Sequence, residues 1–132
     1  MLVWEDGYKI GHEEMDGEHL TLIALLNQLD IGINNDAAAH SIVEVIEALD
    51  AYLAFHFAHE EALMHHVGYP NLNAHIGEHH SFTPRFRDLC DEARTGNTLQ
   101  AALKVRGLVI DWLLNHILTS DADYARFIAE KN

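Results

Sequence analysis

Residues 56–79 read HFAHEEALMHHVGYPNLNAHIGEH, and the way this stretch divides decides the fold. His56-x-x-x-Glu60 precedes a Gly68-Tyr-Pro70 breaker, and His75-x-x-x-His79 follows it. Residues four apart share one face of an α-helix, so each pair can reach one ion together. The spacing predicts two helices separated by a tight turn, each carrying a ligand pair. Imidazole with carboxylate suits a borderline transition metal such as iron better than calcium or magnesium.

The same periodicity extends in both directions. Upstream, a segment from about Met15 to Ile33 carries His19 and sets Leu22, Ile23, Leu26 and Leu29 on one face. Ile31-Gly-Ile-Asn-Asn-Asp36 ends it, with Asn35 or Asp36 placed to cap the next helix. That second segment runs from about Ala37 to His66 through Ile42, Val45, Ile46, Leu49, Leu53, His56, Glu60 and Leu63. The third covers about Asn71 to Ala93 with Leu72, His75, Ile76, His79, Phe82, Phe86 and Leu89 on its stripe. Pro84 interrupts this pattern, which predicts a kink or short break just before it. Asn97 and Gln100 resemble a capping box for the fourth segment, about Thr98 to Leu118. Its stripe is Leu99, Ala102, Leu103, Arg106, Val109, Ile110, Leu113, His116 and Ile117, and a last turn or short helix is expected after Asp121. Four helices of similar length with short connections make an all-α, up-down-up-down four-helix bundle with a di-metal site in its core. Residues 1–132 read as a single domain without repeats, and no run alternates with period two for long enough to suggest a sheet.

A histidine on an apolar face is ordinarily a satisfied core residue. Here the coincidence repeats: His19, His56, Glu60, His75, His79 and His116 fall on apolar stripes, and all four helices contribute. A glutamate among Ile and Leu is costly unless paired or coordinated, and a dinuclear site in the core resolves these costs together. Asp121 lies five residues after His116, about 140° from its face in a regular helix. It is either an N-cap of the final turn or, if the helix end loosens after Leu118, a second bridging carboxylate. Two metals need such a bridge, which favours the ligand. His12, His40, His59, His65, His66 and His80 mostly fall off the stripes and read as solvated surface, while Cys90 reads as core.

Composition narrows the function classes. The formal net charge is −13, and no Lys or Arg occurs between Lys9 and Arg85. Such a surface repels phosphate backbones and anionic lipid, so neither nucleic acid nor a membrane is expected as a partner. No apolar stretch approaches a membrane span, no secretory signal is visible, and a single cysteine fits a reducing cytoplasm. His-Glu-x-x-His, a P-loop, Gly-x-Gly-x-x-Gly and a nucleophile elbow are all absent. So is Glu-x-x-His, the motif of carboxylate-rich di-iron bundles, which leaves a histidine-rich site.

The motifs Met15-Asp-Gly-Glu-His19, His56-Phe-Ala-His-Glu-Glu61 with Leu63-Met64, Gly68-Tyr-Pro70, His75-Ile-Gly-Glu-His79 and Trp112-Leu-Leu-Asn-His-Ile117 leading to Asp121, with Trp4 near the start, closely resemble the hemerythrin family in its bacterial single-domain form. The resemblance implies one iron held by His75, His79 and His116 and another by His19 and His56. Glu60, Asp121 and a solvent-derived oxo or hydroxo group would bridge them. Dioxygen would bind reversibly at the open position of the second iron, for storage, buffering or delivery to a client such as an oxygen-consuming enzyme. Leu22, Phe57, Trp112, Leu113, Ile117 and Tyr124 would line or close the oxygen pocket. A non-enzymatic oxygen binder is the leading expectation; a peroxidase or nitric-oxide-handling enzyme at the same site, or an oxygen or redox sensor acting through a separate partner, are the alternatives. The chain departs from the resemblance at Glu18, where a Gln commonly precedes the first ligand, and at Pro84.

Overall fold

A computed structural model describes residues 6–131; Trp4 lies outside them. After a short 3-10 turn at Asp6–Tyr8 come α1 (Glu13–Asn34), α2 (Ala39–Val67), α3 (Leu72–Arg94) and α4 (Thr98–His116). A π-helical turn, Ile117–Asp121, then leads without interruption into a short α5 (Ala122–Lys131). No strand occurs among the described residues, and none of their helices is long and apolar enough to cross a membrane. Each long helix touches the next, α1 closes back on α4, and α2 meets α4 across the diagonal. The result is the expected four-helix bundle.

The helix ends show which polar residues the backbone recruited. His12 sits in extended conformation at the start of α1 and accepts the Met15 N–H through Nδ1 at 3.3 Å. Glu13, Glu14 and Asp16 follow it, where the helix dipole favours negative charge. Asn35 and Asp36 do not cap α2, whose first residue follows Ala38 with no side-chain cap. They finish α1 instead: Asn35 gives both its backbone N–H and its side-chain amide to the Ile31 carbonyl, and Asp36 takes a positive φ of 51° in the turn. At the other end of α2, Gly68 adopts φ 71° and passes Tyr69 into position to donate to the Met64 carbonyl at 2.9 Å, a Schellman-type stop. The capping box at Asn97 is not formed either. Thr98 Oγ1 donates to the Ala93 carbonyl at 2.7 Å and ties the start of α4 to the end of α3.

Two apolar clusters sandwich a polar layer. The larger contains Leu22, Leu26, Leu29, Ile46, Leu49, Leu53, Phe57, Phe82, Phe86, Val105, Val109 and Leu113 among others; the smaller is Met15, Met64 and Tyr124. His19 therefore lies between Met15 and Leu22 on α1, and Glu60 between Phe57 and Met64 on α2. The inward face of α4 differs from the expected stripe. Leu99 and Leu103 are 50% and 41% exposed, while Thr98, Ala101, Ala102, Val105, Val109 and Leu113 are buried. Small side chains at the contact let α4 approach its neighbours closely, and the bulkier leucines turn outward. Arg106 is drawn to that edge by an ion pair with Asp30 of α1.

Helix α3 runs unbroken through Pro84, so the expected short break is absent. Proline removes one N–H, here the partner of the His80 carbonyl, but both Pro84 and His80 face solvent, where water can take its place. Replacing a mid-helix proline by alanine recovers about 3 kcal/mol of helix propensity, offset by about 1 kcal/mol of unfolded-chain entropy. Pro84→Ala should thus stabilise the protein by about 2 kcal/mol without changing metal content. Urea unfolding of both forms checks this, and an unchanged or lowered midpoint contradicts it.

Candidate metal centre

The four long helices and the π turn deliver seven donors to one layer. His19 comes from α1, His56 and Glu60 from α2, His75 and His79 from α3, His116 from the end of α4, and Asp121 from the π turn. All seven are buried, none more than 2% exposed. The i, i+4 pairs need only regular helix. Asp121 needs more, because a regular helix would point it well away from His116. The Ala122 N–H bonds to the Ile117 carbonyl five residues back, which widens the turn and returns Asp121 to the face of His116. The loosening expected after Leu118 is thus a π turn beginning at Ile117.

The two carboxylates divide their oxygens between two histidine groups. Glu60 Oε1 lies 3.0 Å from His75 Nε2, 2.9 Å from His79 Nε2 and 3.9 Å from His116 Nε2. Its Oε2 lies 3.4 Å from His56 Nε2 and 3.8 Å from His19 Nε2. Asp121 repeats the division: Oδ1 is 3.0 Å from both His75 and His116 Nε2, and Oδ2 is 3.2 Å from His19 Nε2. Two half-sites result, one with His75, His79 and His116, the other with His19 and His56, sharing Glu60 and Asp121.

The donor set fits metal ions better than it fits itself. Both Asp121 oxygens and both His19 ring nitrogens are buried without a hydrogen-bond partner. Unpaired buried polar atoms of this kind are costly. The His79 and His116 Nε2 atoms approach to 3.1 Å, two nitrogens turned on one point. Cations placed among these atoms would satisfy both Asp121 oxygens and His19 Nε2, leaving His19 Nδ1 outside the layer, and mixed imidazole and carboxylate donors suit a borderline transition metal.

Behind the donors stands a layer of carboxylates, of which the sequence reading singled out Glu18 and missed Glu61 and Glu78. His56 Nδ1 donates to Glu18 Oε1 at 2.7 Å, His79 Nδ1 to Glu61 Oε2 at 2.8 Å, and His116 Nδ1 approaches Glu78 Oε1 at 3.3 Å. Ser120 Oγ donates to Glu78 at 2.7 Å and steadies it. Glu18 also accepts from His59 Nδ1 at 2.6 Å, so His59 is half-buried and engaged rather than solvated. The available signal was helical: Glu61 follows Glu60, and Glu78 precedes His79. Which of many acidic residues would turn inward was not readable.

The expected pocket residues separate into two kinds. Leu22, Phe57, Leu113 and Ile117 are buried apolar walls of the larger cluster. Phe57 stacks on His79 with centroids 3.9 Å apart, and the half-buried Trp112 stacks on His116 at 4.4 Å. Tyr124 is not simply a wall: its hydroxyl donates to Glu60 Oε2 at 2.8 Å. Burial and the neighbouring Glu60 and Asp121 charges push this phenol far above its usual range, so it stays a donor.

Without metal, protons balance the cluster. Burial lowers the basicity of His56, His75 and His116, but Glu18, Glu60 and Asp121 outweigh it and push them up to about 9, 8 and 10. His19 is raised by Asp121 and Glu60 against the same burial. Burial raises Glu60 and Asp121, yet the surrounding histidines hold both below the usual carboxylate range. Glu18 is likewise held down by His56 and His59 against burial.

Comparison with known proteins agrees with this geometry. The family model described as the hemerythrin HHE cation binding domain matches residues 10–128. A bacteriohemerythrin of Pseudomonas aeruginosa is 37% identical over 124 residues, covering 93% of this chain and 78% of its own. One from Stenotrophomonas maltophilia is 34% identical over 125 residues, covering 95% and 80%. One from Clostridium acetobutylicum is 28% identical, covering 94% and 98%. A crystal structure of wild-type hemerythrin superposes with a TM-score of 0.85 at 26% identity, over 96% of both chains.

The raised histidines dictate how the metal-free protein responds to pH. They bind protons more tightly folded than unfolded, where histidine titrates near 6.5. Their contribution to stability is complete below about pH 6.5 and is lost as pH rises through about 8 to 10. The depressed carboxylates contribute fully above about pH 4.5 and lose their contribution on acidification. Metal-free protein should therefore be most stable between about pH 4.5 and 6.5 and melt progressively lower toward pH 9. Metal-loaded protein, whose imidazoles are neutral, should not show that alkaline loss. Thermal melts of both forms at pH 6 and 9 check this; a metal-free melting temperature as high at pH 9 as at pH 6 contradicts it.

Proposed function

Because this chain belongs to the hemerythrin family, we propose that its buried cluster holds two iron ions and binds dioxygen reversibly, for oxygen storage, buffering or delivery to an oxygen-consuming client. The observation that supports this most directly is the division of Glu60 and Asp121 between a three-histidine and a two-histidine half-site in a buried layer. In this reading His75, His79 and His116 would hold one iron, His19 and His56 would hold the other, and Glu60 and Asp121 would be shared between them. The half-site with one imidazole fewer would leave its ion a free position for the gas. Iron held there would supply the electrons on which dioxygen binding draws.

The chain's own residues supply the reversibility. Five neutral imidazoles leave the centre less anionic than a carboxylate-rich one, which disfavours deeper reduction of the bound gas. Leu22, Phe57, Leu113 and Ile117 keep bulk water from the layer, and the Trp112 ring covers His116. Tyr124 donates to Glu60, offsets part of its charge and fixes its orientation. Glu61 and Glu78 fix the rings of His79 and His116 through their Nδ1 atoms.

Anaerobic reconstitution with ferrous iron, followed by alternating air and argon, tests the reading. A visible charge-transfer band that appears in air and vanishes under argon over many cycles is expected. Irreversible conversion to the ferric state with turnover of added peroxide would instead identify an enzyme. His116→Ala removes a donor from the three-histidine half-site and should abolish stable iron binding. Full iron loading of that variant, measured by elemental analysis, contradicts the ligand assignment.

A further inference from the structure

Of the three outer carboxylates, Glu18 is the most buried: its side chain is 9% exposed, against 28% for Glu61 and 44% for Glu78. It is also the one gripped from two sides, by His56 at 2.7 Å and by His59 at 2.6 Å. His59 is itself held, with Nε2 at 3.3 Å from Glu14 and its ring 5.7 Å from that of Phe55. A carboxylate only accepts, so Glu18 obliges His56 to carry its proton on Nδ1. The Nε2 lone pair is thereby directed at Glu60 and the shared layer. On the other side of the same half-site, His19 Nδ1 has no partner. The two-histidine half-site thus has one anionic support, reaching it through His56, whereas the three-histidine half-site has two that are more exposed.

We propose that Glu18 is a positioning residue that sets the metal affinity and reduction potential of the two-histidine half-site, with His59 as the clamp that holds it. A charge in a dry environment acts more strongly than one screened by water. Carboxylates hydrogen-bonded to a ligating imidazole fix its tautomer and strengthen it as a donor, and their loss costs about 10- to 100-fold in metal affinity. Among the candidate ligands Glu18 hydrogen-bonds only His56, so its effect falls chiefly on one half-site. The inference rests on the di-metal reading above, which places His56 among the ligands.

Titration of the metal-free protein with Co2+ under anaerobic conditions, followed by visible absorption and calorimetry, tests it. Wild type should take up two equivalents. Glu18→Gln keeps an acceptor for His56 and removes the charge; its amide nitrogen then faces His59, which must change tautomer so that Nδ1 accepts. It should weaken one equivalent by about 10- to 100-fold and leave the other unchanged. Glu61→Gln, which acts through His79, should weaken the opposite equivalent. His59→Gln, which loosens the clamp without touching Glu18 itself, should weaken the same equivalent as Glu18→Gln and guards against a folding defect in that variant. In iron-loaded protein, Glu18→Gln should move one midpoint potential positive and leave the second in place, which loss of packing alone would not do. Equal weakening of both equivalents, or no weakening, overturns the role of Glu18 while a wild-type uptake of two equivalents keeps the di-metal reading standing. Wild-type uptake of fewer than two overturns both.

Discussion

Everything in this bundle depends on placing two carboxylates and five imidazoles where water cannot reach them. An isolated buried carboxylate is among the least favourable things a core can contain. The chain tolerates two because every oxygen of Glu60 and Asp121 faces an imidazole nitrogen, and because the outer ends of three imidazoles reach further acids nearer the surface. Charge thus alternates outward from the centre. The apolar clusters on either side keep that alternation dry, and so make each interaction within it strong.

The same requirement explains which local rules the chain obeys and which it breaks. Regular helix suffices wherever donors are spaced by four, as at His56 and Glu60 or His75 and His79. At Asp121 the spacing is five, and the backbone widens into a π turn rather than misplace the carboxylate. Pro84 breaks a rule without such a reason: it lies beyond both candidate ligands of α3, on the solvent side, where the lost hydrogen bond does little harm. No feature of the structure requires a proline there.

The four helices and the inward direction of six donors were legible because hydrophobic and ligand periodicities coincide on the same stripes. Asp121 was readable only as a choice between a cap and a ligand, since linear spacing does not reveal how a helix is wound. The face of α4 was misread at Leu99 and Leu103 because the periodic stripe can be drawn through neighbouring positions; close packing buried Thr98, Ala101 and Val105 instead, with Ala102 inward as expected. The fourth helix starts at Thr98 as expected, but the caps read at Asn35 or Asp36 and at Asn97 do not form, because these residues are equally suited to turns and tertiary contacts decide between the uses. His59 looked like surface by position, yet the Glu18 carboxylate from a neighbouring helix drew it in.

The π turn has a consequence for the order in which the molecule is assembled. Glu60, His75 and His79 lie on one helical hairpin, so their meeting closes only a short loop. His19 and Asp121 come from near opposite ends of the chain, yet their side chains stand 3.2 Å apart. Closing so long a loop carries a larger entropic penalty and depends on all four helices having docked. The donor layer therefore depends on completed topology: the α2–α3 hairpin brings His56, Glu60, His75 and His79 together over short sequence separations, whereas His19 meets Asp121 only across the whole bundle.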